Sequence, residues 1–188
     1  INRHAGSYFF LGELYTDLPL TETGATTEHC GSCNACIDIC PTQAIIQPYL
    51  LDANRCISYL TIEYAGSIPL EFRALMGNRI YGCDDCQLIC PWNRFAQMSV
   101  ETDFQIRHQL DSASLLELFA WDETTFLAKL EGTAIRRIGH ERWLRNIAVA
   151  LGNAPKSTKT RQVLLAKLGT AISPLVREHI EWALQQQA

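Results

Sequence analysis

Eight cysteines carry the chemistry of this chain, and their spacing says which chemistry. Cys30, Cys33, Cys36 and Cys40 are separated by two, two and three residues and followed by Pro41. Cys83, Cys86 and Cys90, followed by Pro91, nearly repeat the run, and Cys56 stands alone between them. A tight loop with two residues between ligands can wrap three corners of an iron–sulfur cubane. The fourth cysteine, just before proline, is carried off by a new turn and serves the neighbouring cluster. Cys30, Cys33, Cys36 and Cys90 are therefore expected to hold one [4Fe–4S] cluster. Cys40, Cys83 and Cys86 fall to the second, and by counting Cys56 completes it. Disulfides fit poorly, because pairs two residues apart do not make an ordinary cross-linked framework. Zinc sites prefer two CxxC pairs separated by a longer span.

Size and composition set limits on what surrounds these ligands. The chain has 188 residues, 47% of them hydrophobic. It shows neither an apolar run long enough for a membrane span nor a signal peptide, so no membrane partner is expected. Unpaired thiols in that number suit a reducing compartment, which makes the cytoplasm the expected location. Because the chain opens at Ile1 without Met, an N-terminal region carrying part of the active site is expected to be missing. Five histidines, His4, His29, His108, His140 and His179, lack paired ligand spacing and are read as surface or capping residues.

Charge divides the chain in two. Residues 1–110 hold 12 acidic against 6 basic side chains, and residues 111–188 hold 8 against 10. Between Lys129 and Lys167 nine basic residues face only Glu131 and Glu141, a local balance of +7. A solvated helical face explains such clustering, and so does a surface that displaces counterions from nucleic acid.

The fold class expected is α+β, with a two-[4Fe–4S] ferredoxin-like domain at 28–110 and an all-α, HEAT-like helical domain at 111–188. Residues 1–27 read as the end of an earlier domain plus a linker, with 7–18 starting as a strand. Apolar periodicity favours helix over 57–64. From Ser112 the pattern is helical. Ser114 and Glu117 form a capping box, and Asp122 caps a second short helix to about Leu130. Thr133 is placed to cap a turn containing Arg136 and Arg137. Trp143, Leu144, Ile147, Ala148 and Leu151 form one buried stripe of a longer helix, ended by Gly152-Asn153 in a left-handed turn. A helix over 159–168 stops at Gly169, and Ser173-Pro174 starts the last one. Arg142, Arg145, Asn146 and Val149 share a face of the long helix away from the Trp143 stripe. That face is expected to contact phosphates and an exposed base or ribose. Arg136, Arg137, Lys156 and Lys159 extend it.

Two stretches carry a family resemblance. Cys56-Ile-Ser-Tyr-Leu-Thr-Ile-Glu63 and Met76-Gly-Asn-Arg-Ile-Tyr-Gly-Cys-Asp-Asp-Cys-Gln-Leu-Ile-Cys-Pro-Trp-Asn-Arg94 resemble the epoxyqueuosine reductases, from Phe9-Phe-Leu-Gly-Glu-Leu14 through Arg94 and more loosely beyond. The resemblance implies an N-terminal cobalamin domain, a two-cluster domain and a HEAT-like domain, and it supports Cys56 as a ligand. It also implies the reaction, reduction of epoxyqueuosine to queuosine at the wobble position of tRNA, with electrons passing through the clusters to cobalamin. The partners implied are a tRNA anticodon stem-loop and an electron donor. Ser58 and Asp84, beside Cys56 and Cys83, are expected to face the cobalamin. The family's proton donor lies in the N-terminal domain, so no catalytic acid is assigned here, and Glu63, Asp84 and Asp85 are read as loop supports. Other readings of the same cysteines are an electron-transfer subunit, a reductive dehalogenase-like enzyme, and a nucleic-acid-binding module with structural clusters.

Overall fold

The computed structural model describes residues 1–2, 4–27, 30–170 and 172–188. It is mostly helical, and its β-structure among those residues is one two-stranded antiparallel ladder and an isolated Asn2–Gly6 bridge. His29 lies outside the described residues.

The first half is built from short pieces dictated by the cysteine loops. Helix α1 (Ala35–Ile39) stops at Cys40, which the following proline forces into an extended conformation at φ −64°, ψ 112°. Strands β1 (Ile45–Gln47) and β2 (Leu50–Leu51) pair Ile45 with Leu51 and Gln47 with Leu50. Asp52 accepts the Asn54 amide to start a single 3-10 turn over Ala53–Arg55, and helix α2 (Ile57–Ile62) follows directly on Cys56. Helix α3 (Leu70–Arg73) and helix α4 (Asp85–Leu88) complete this half. Helix α4 packs beside α1 and leads to Cys90, which its own proline holds extended at ψ 120°.

The second half is a helical stack. Helix α5 (Leu115–Phe119) begins with the full Ser114/Glu117 capping box, and Asp122 caps helix α6 (Glu123–Lys129) through the Thr125 amide. A 3-10 turn over Ala134–Ile138 leads into helix α7 (Gly139–Asn153). Helices α8 (Thr158–Leu168) and α9 (Pro174–Gln186) start at the side-chain caps Ser157 and Ser173. Trp143 is buried against Trp121 and Phe126, with its indole N–H donated to the Leu118 carbonyl at 3.2 Å.

Helix α7 runs through the middle and is buried on both sides, from Trp143 to Gly152 without interruption. The Trp143, Ile147 and Leu151 stripe joins the helical core. Val149, on the other side, enters a second core with Ile57, Ile68 and Met76, on which Phe72 and Trp182 also pack. Helix α9 crosses α7 so closely that a methyl added at Gly152 would stand 2.5 Å from the Trp182 ring and 3.0 Å from the Ala183 Cα.

Three expectations are corrected here. Residues 7–18 form no strand, and Phe10, Leu11, Leu14 and Tyr15 are almost fully exposed. What orders the start of that stretch is Asn93, whose Oδ1 accepts the Ser7 amide at 2.6 Å. Gly152 and Asn153 are helical, and the helix ends at Ala154 in an extended conformation. Gly152 is therefore a close-packing residue, and no left-handed turn is formed. His179 is fully buried, since its Nε2 accepts the Ile68 amide at 3.1 Å and its Nδ1 donates to the Leu175 carbonyl at 2.7 Å. That pair of bonds fixes a neutral imidazole, because a second proton on Nε2 would face another donor.

Two outcomes follow from this packing. Gly152→Ala should destabilise the chain by about 1–3 kcal/mol through overpacking, although alanine is the better helix former by roughly 1 kcal/mol. Urea unfolding measures it. Burial pulls His179 from 6.5 to about 4, so the unfolded chain binds its proton first. The stabilisation is complete above pH 6.5 and is lost as pH falls toward 4. Its size is on the order of 3 kcal/mol. Urea midpoints across that window should fall more steeply for the native chain than for His179→Gln.

Candidate iron–sulfur centre

The two proline-terminated loops exchange their last cysteines. Cys30, Cys33, Cys36 and Cys90 line one cavity of about 160 Å³, together with Ala35, Pro91 and Trp92. Cys40, Cys56 and Cys83 line a second, of about 370 Å³, walled by Ile45, Tyr49, Leu50, Leu51 and Ile57. Cys86 borders both. Burial pushes its thiol up, and the neighbouring Cys83, Cys56 and Cys36 act in the same direction. Burial likewise raises Cys36, whose charged neighbours are Cys30, Cys33 and Cys90, and Cys83, which feels Cys56. Cys40 differs. Burial raises it, but the Ala44 amide at 3.2 Å and further donors from Ile45 and Thr42 bring it below the ordinary thiol value. Among the described residues, no trio of His, Cys, Asp or Glu is arranged as a site for a single metal ion. The eight thiols instead gather around two adjoining cavities with Cys86 between them, a donor set that fits cubane clusters.

The loops are braced by side chains rather than by a deep core of their own. Arg79 holds Asp85 at 2.5 Å and the Met76 carbonyl at 3.1 Å, which fixes the approach to Cys83. Arg55 donates to the Thr42 carbonyl beside Cys40 at 3.0 Å. Gly82, at φ +73°, turns the chain immediately before Cys83, and its amide is bound by the Thr61 hydroxyl at 2.9 Å.

The largest correction concerns the face of α7 assigned to nucleic acid. Arg145 and Asn146 are fully buried against the first half of the chain. Arg145 donates to the carbonyls of Leu60, Tyr64 and Gly66 at 2.7 Å each, and through Nε to Asn146 Oδ1 at 3.0 Å. Asn146 donates to Thr61 and Ile80, both at 2.9 Å. Arg142, half-buried, donates to Ile62 at 2.9 Å and Glu63 at 3.3 Å. These side chains close the C-terminal end of α2, where helical carbonyls lack intrahelical donors. Burial, with Arg142 nearby, lowers Arg145 to about 10, which leaves it cationic at neutral pH, held by three backbone carbonyls with Glu141 favouring the charge from a distance.

The remaining basic residues do not form one patch. Arg136 is exposed and Arg137 pairs with Glu63 at 2.7 Å, both before the N-terminus of α7. Lys156, bonded to the Ala188 carbonyl, and Lys159 lie beyond its C-terminus. A helix of 15 residues keeps the two groups roughly 20 Å apart along its axis. Ser58 and Asp84 lie in different surroundings. Asp84 lines a cleft of about 730 Å³ with Tyr8, Phe9, Phe10, Gln87 and Met98, and Ser58 is not on its wall. Glu63 and Asp85 serve as ion-pair supports, as expected. Sequence reasoning missed Thr61, Asn153, whose amide donates to Arg73 at 2.7 Å and Gly77 at 3.0 Å, and the pair that buried Arg73 makes with half-exposed Glu178. Small polar residues inside otherwise apolar helical stripes were the available signal.

Comparison with known proteins agrees with the thiol geometry. Residues 29–93 match the 4Fe-4S double cluster binding domain. Epoxyqueuosine reductase of Pseudomonas aeruginosa is 60% identical over 187 residues, which is 99% of this chain and 52% of that protein. Over nearly its whole length the chain is similar to epoxyqueuosine reductases. The Escherichia coli enzyme is also 60% identical, over 100% of this chain and 49% of its own length. Among solved structures, epoxyqueuosine reductase with an epoxyqueuosine-modified tRNA-Tyr stem loop superposes with a TM-score of 0.82 at 31% identity, covering 90% of this chain and 44% of that one. The Streptococcus thermophilus epoxyqueuosine reductase gives 0.82 at 29% identity over 100% of this chain and 49% of its own. The chain spans about half the length of the curated relatives it matches.

Replacing Cys56 by Ala should empty the second cavity and spare the first. The bound iron and sulfide should fall from about eight of each to about four. Equal loss from both cavities would make Cys56 a folding residue instead.

Proposed function

We propose that this chain is the iron–sulfur and helical portion of an epoxyqueuosine reductase, which reduces epoxyqueuosine to queuosine at the tRNA wobble position. The observation that carries the reading is the gathering of eight thiols around two adjoining cavities in a chain 60% identical to such enzymes. Cys30, Cys33, Cys36 and Cys90 would hold one [4Fe–4S] cluster, and Cys40, Cys56, Cys83 and Cys86 the other. When bound, these clusters supply one-electron transfer, and cobalamin, which enters through the family resemblance, supplies the reductive chemistry. The chain's own part is to hold the ligands in place and to keep the second cavity apolar, with Ile57, Leu50 and Leu51 on its wall. Asp84 and Ser58 remain proposed as residues on the cobalamin side, Asp84 from the cleft that it shares with Tyr8 and Phe9.

The division proposed is a remnant and linker at 1–27, a two-cluster ferredoxin-like domain at 28–110 and a HEAT-like domain at 111–188. The packing of α7 and α8 on α9 supports the last. No helix among the described residues is long and apolar enough to cross a membrane, and a cytoplasmic setting is proposed from the eight unpaired thiols. An electron donor is required as a further partner.

For tRNA, the exposed Arg136, Arg137, Lys156 and Lys159, with the accessible edge of Arg142, are the proposed phosphate contacts. Arg145 and Asn146 are withdrawn from that role by their burial. The reading is tested by assaying the gene product that contains this chain, with reductant and cobalamin, on epoxyqueuosine-containing tRNA. Formation of queuosine supports it, and full cluster loading without turnover would refute it. Losing Arg136 and Arg137 together should weaken binding of the anticodon stem-loop while both clusters stay intact. The log–log salt slope should shrink by roughly 0.7–0.9 for each phosphate that the variant no longer neutralises. Unchanged affinity and slope would show that this surface is merely solvated.

A further inference from the structure

Cys56 and Cys83 face one cavity although twenty-six residues separate them and no strand or helix spans the gap. Two buried side chains bridge it. The Thr61 hydroxyl donates to the Ile57 carbonyl at 2.7 Å and accepts the Gly82 amide at 2.9 Å. Asn146 donates one amide hydrogen to the Thr61 carbonyl and the other to the Ile80 carbonyl, each at 2.9 Å. The orientation of that amide is not free. Its Oδ1 takes the Arg145 Nε donor, so a flipped amide would set oxygen against two carbonyl oxygens and nitrogen against a donor. Helix α2 starts at Cys56, and Gly82 immediately precedes Cys83. Fixing the last turn of α2 to Ile80–Gly82 therefore fixes the distance between the two thiols.

We propose that Asn146 and Thr61 are positioning residues for the second four-thiol cavity, so that helix α7 sets the geometry of a redox centre whose ligands all lie outside it. The proposal rests on reading that cavity as an iron–sulfur site. Asparagine suits the position chemically, since one short planar group offers an acceptor to the arginine and two donors to the carbonyls. Aspartate would lose both donors, and alanine would leave two buried carbonyls unpaired. Among the described residues the first cavity receives no such ties from α7, because Cys30, Cys33, Cys36 and Cys90 approach it from the loops around α1 and α4. The effect should therefore be selective. Asn153 is the internal control. It lies on the same helix and makes the same kind of double bond to backbone, but to Arg73 and Gly77, away from both cysteines.

The test is anaerobic reconstitution of the whole chain as Asn146→Ala, Thr61→Val, Thr61→Ser and Asn153→Ala, with iron and sulfide counted and the reduced protein examined by electron paramagnetic resonance. Asn146→Ala and Thr61→Val should fall from about eight iron to about four, and the spectrum of two interacting clusters should give way to that of one isolated cluster. Thr61→Ser retains the hydroxyl and should restore the second cluster. Asn153→Ala should keep both. Thr61→Val changes only the hydroxyl, so it carries the test if Asn146→Ala does not fold. Full iron loading with an unchanged spectrum in Thr61→Val overturns the proposal, as does equal loss of both clusters, or the same loss in Asn153→Ala. A native chain that takes up neither iron nor sulfide overturns the iron–sulfur reading, and this proposal with it.

Discussion

A short helix cannot be buried unless something answers the carbonyls at its end, and α2 is such a helix. It has six residues, starts directly after Cys56, and buries Ile57, Leu60 and Thr61. Its terminal carbonyls and those just beyond are met by Arg142, Arg145 and Asn146, all from α7. Each such group left unpaired in the interior would forfeit about 1–3 kcal/mol. The contact is therefore hard to loosen piecemeal. Asn153 and His179 extend the same seam to Arg73, Gly77 and Ile68, where polar groups of the helical half again meet backbone of the other half.

This seam explains how so little regular structure can hold eight thiols in order. Short helices α1 and α4 and one two-stranded ladder enclose the cysteine cavities, and they bury few side chains of their own. The apolar cluster beneath them, Ile57, Ile68 and Met76, is completed by Val149 of α7 and covered by Trp182 of α9. Small regions bury too little surface to be stable alone. Here the missing core comes from the helical stack, and bound clusters would add cross-links of their own. The stack is thus a structural partner of the redox region as well as the proposed carrier of RNA contacts.

The sequence was most informative where chemistry fixes local geometry. Cysteine spacing and the two Cys-Pro steps made the local backbone legible, because a residue before proline is driven to extended backbone and leaves its own loop, as Cys40 and Cys90 do. The caps at Ser114, Asp122 and Ser173 were equally legible, since capping is a matter of three or four adjacent residues. What failed was the second face of α7. Periodicity finds the apolar stripe that packs on side chains, and it read the polar Arg142, Arg145 and Asn146 face as solvent-exposed. That face is polar because it packs on backbone carbonyls, and nothing in the local pattern distinguishes a carbonyl surface from water. Gly152 was misread for a related reason. A glycine near a helix end has two explanations, a left-handed turn or a close crossing, and only the position of Trp182 decides between them.

If the ties from Arg142, Arg145 and Asn146 to the end of α2 are what hold the second cavity together, the region around α2 cannot open while α7 stays closed. Native-state hydrogen exchange tests this directly. The amide of Leu60, bonded to the Cys56 carbonyl, and that of Gly82, bonded to Thr61, should exchange only through the opening that releases the buried amides of Ile147 to Leu151. All should show one opening free energy and one urea dependence. Exchange of Leu60 and Gly82 through a smaller, separate opening, with α7 still protected, would contradict the account.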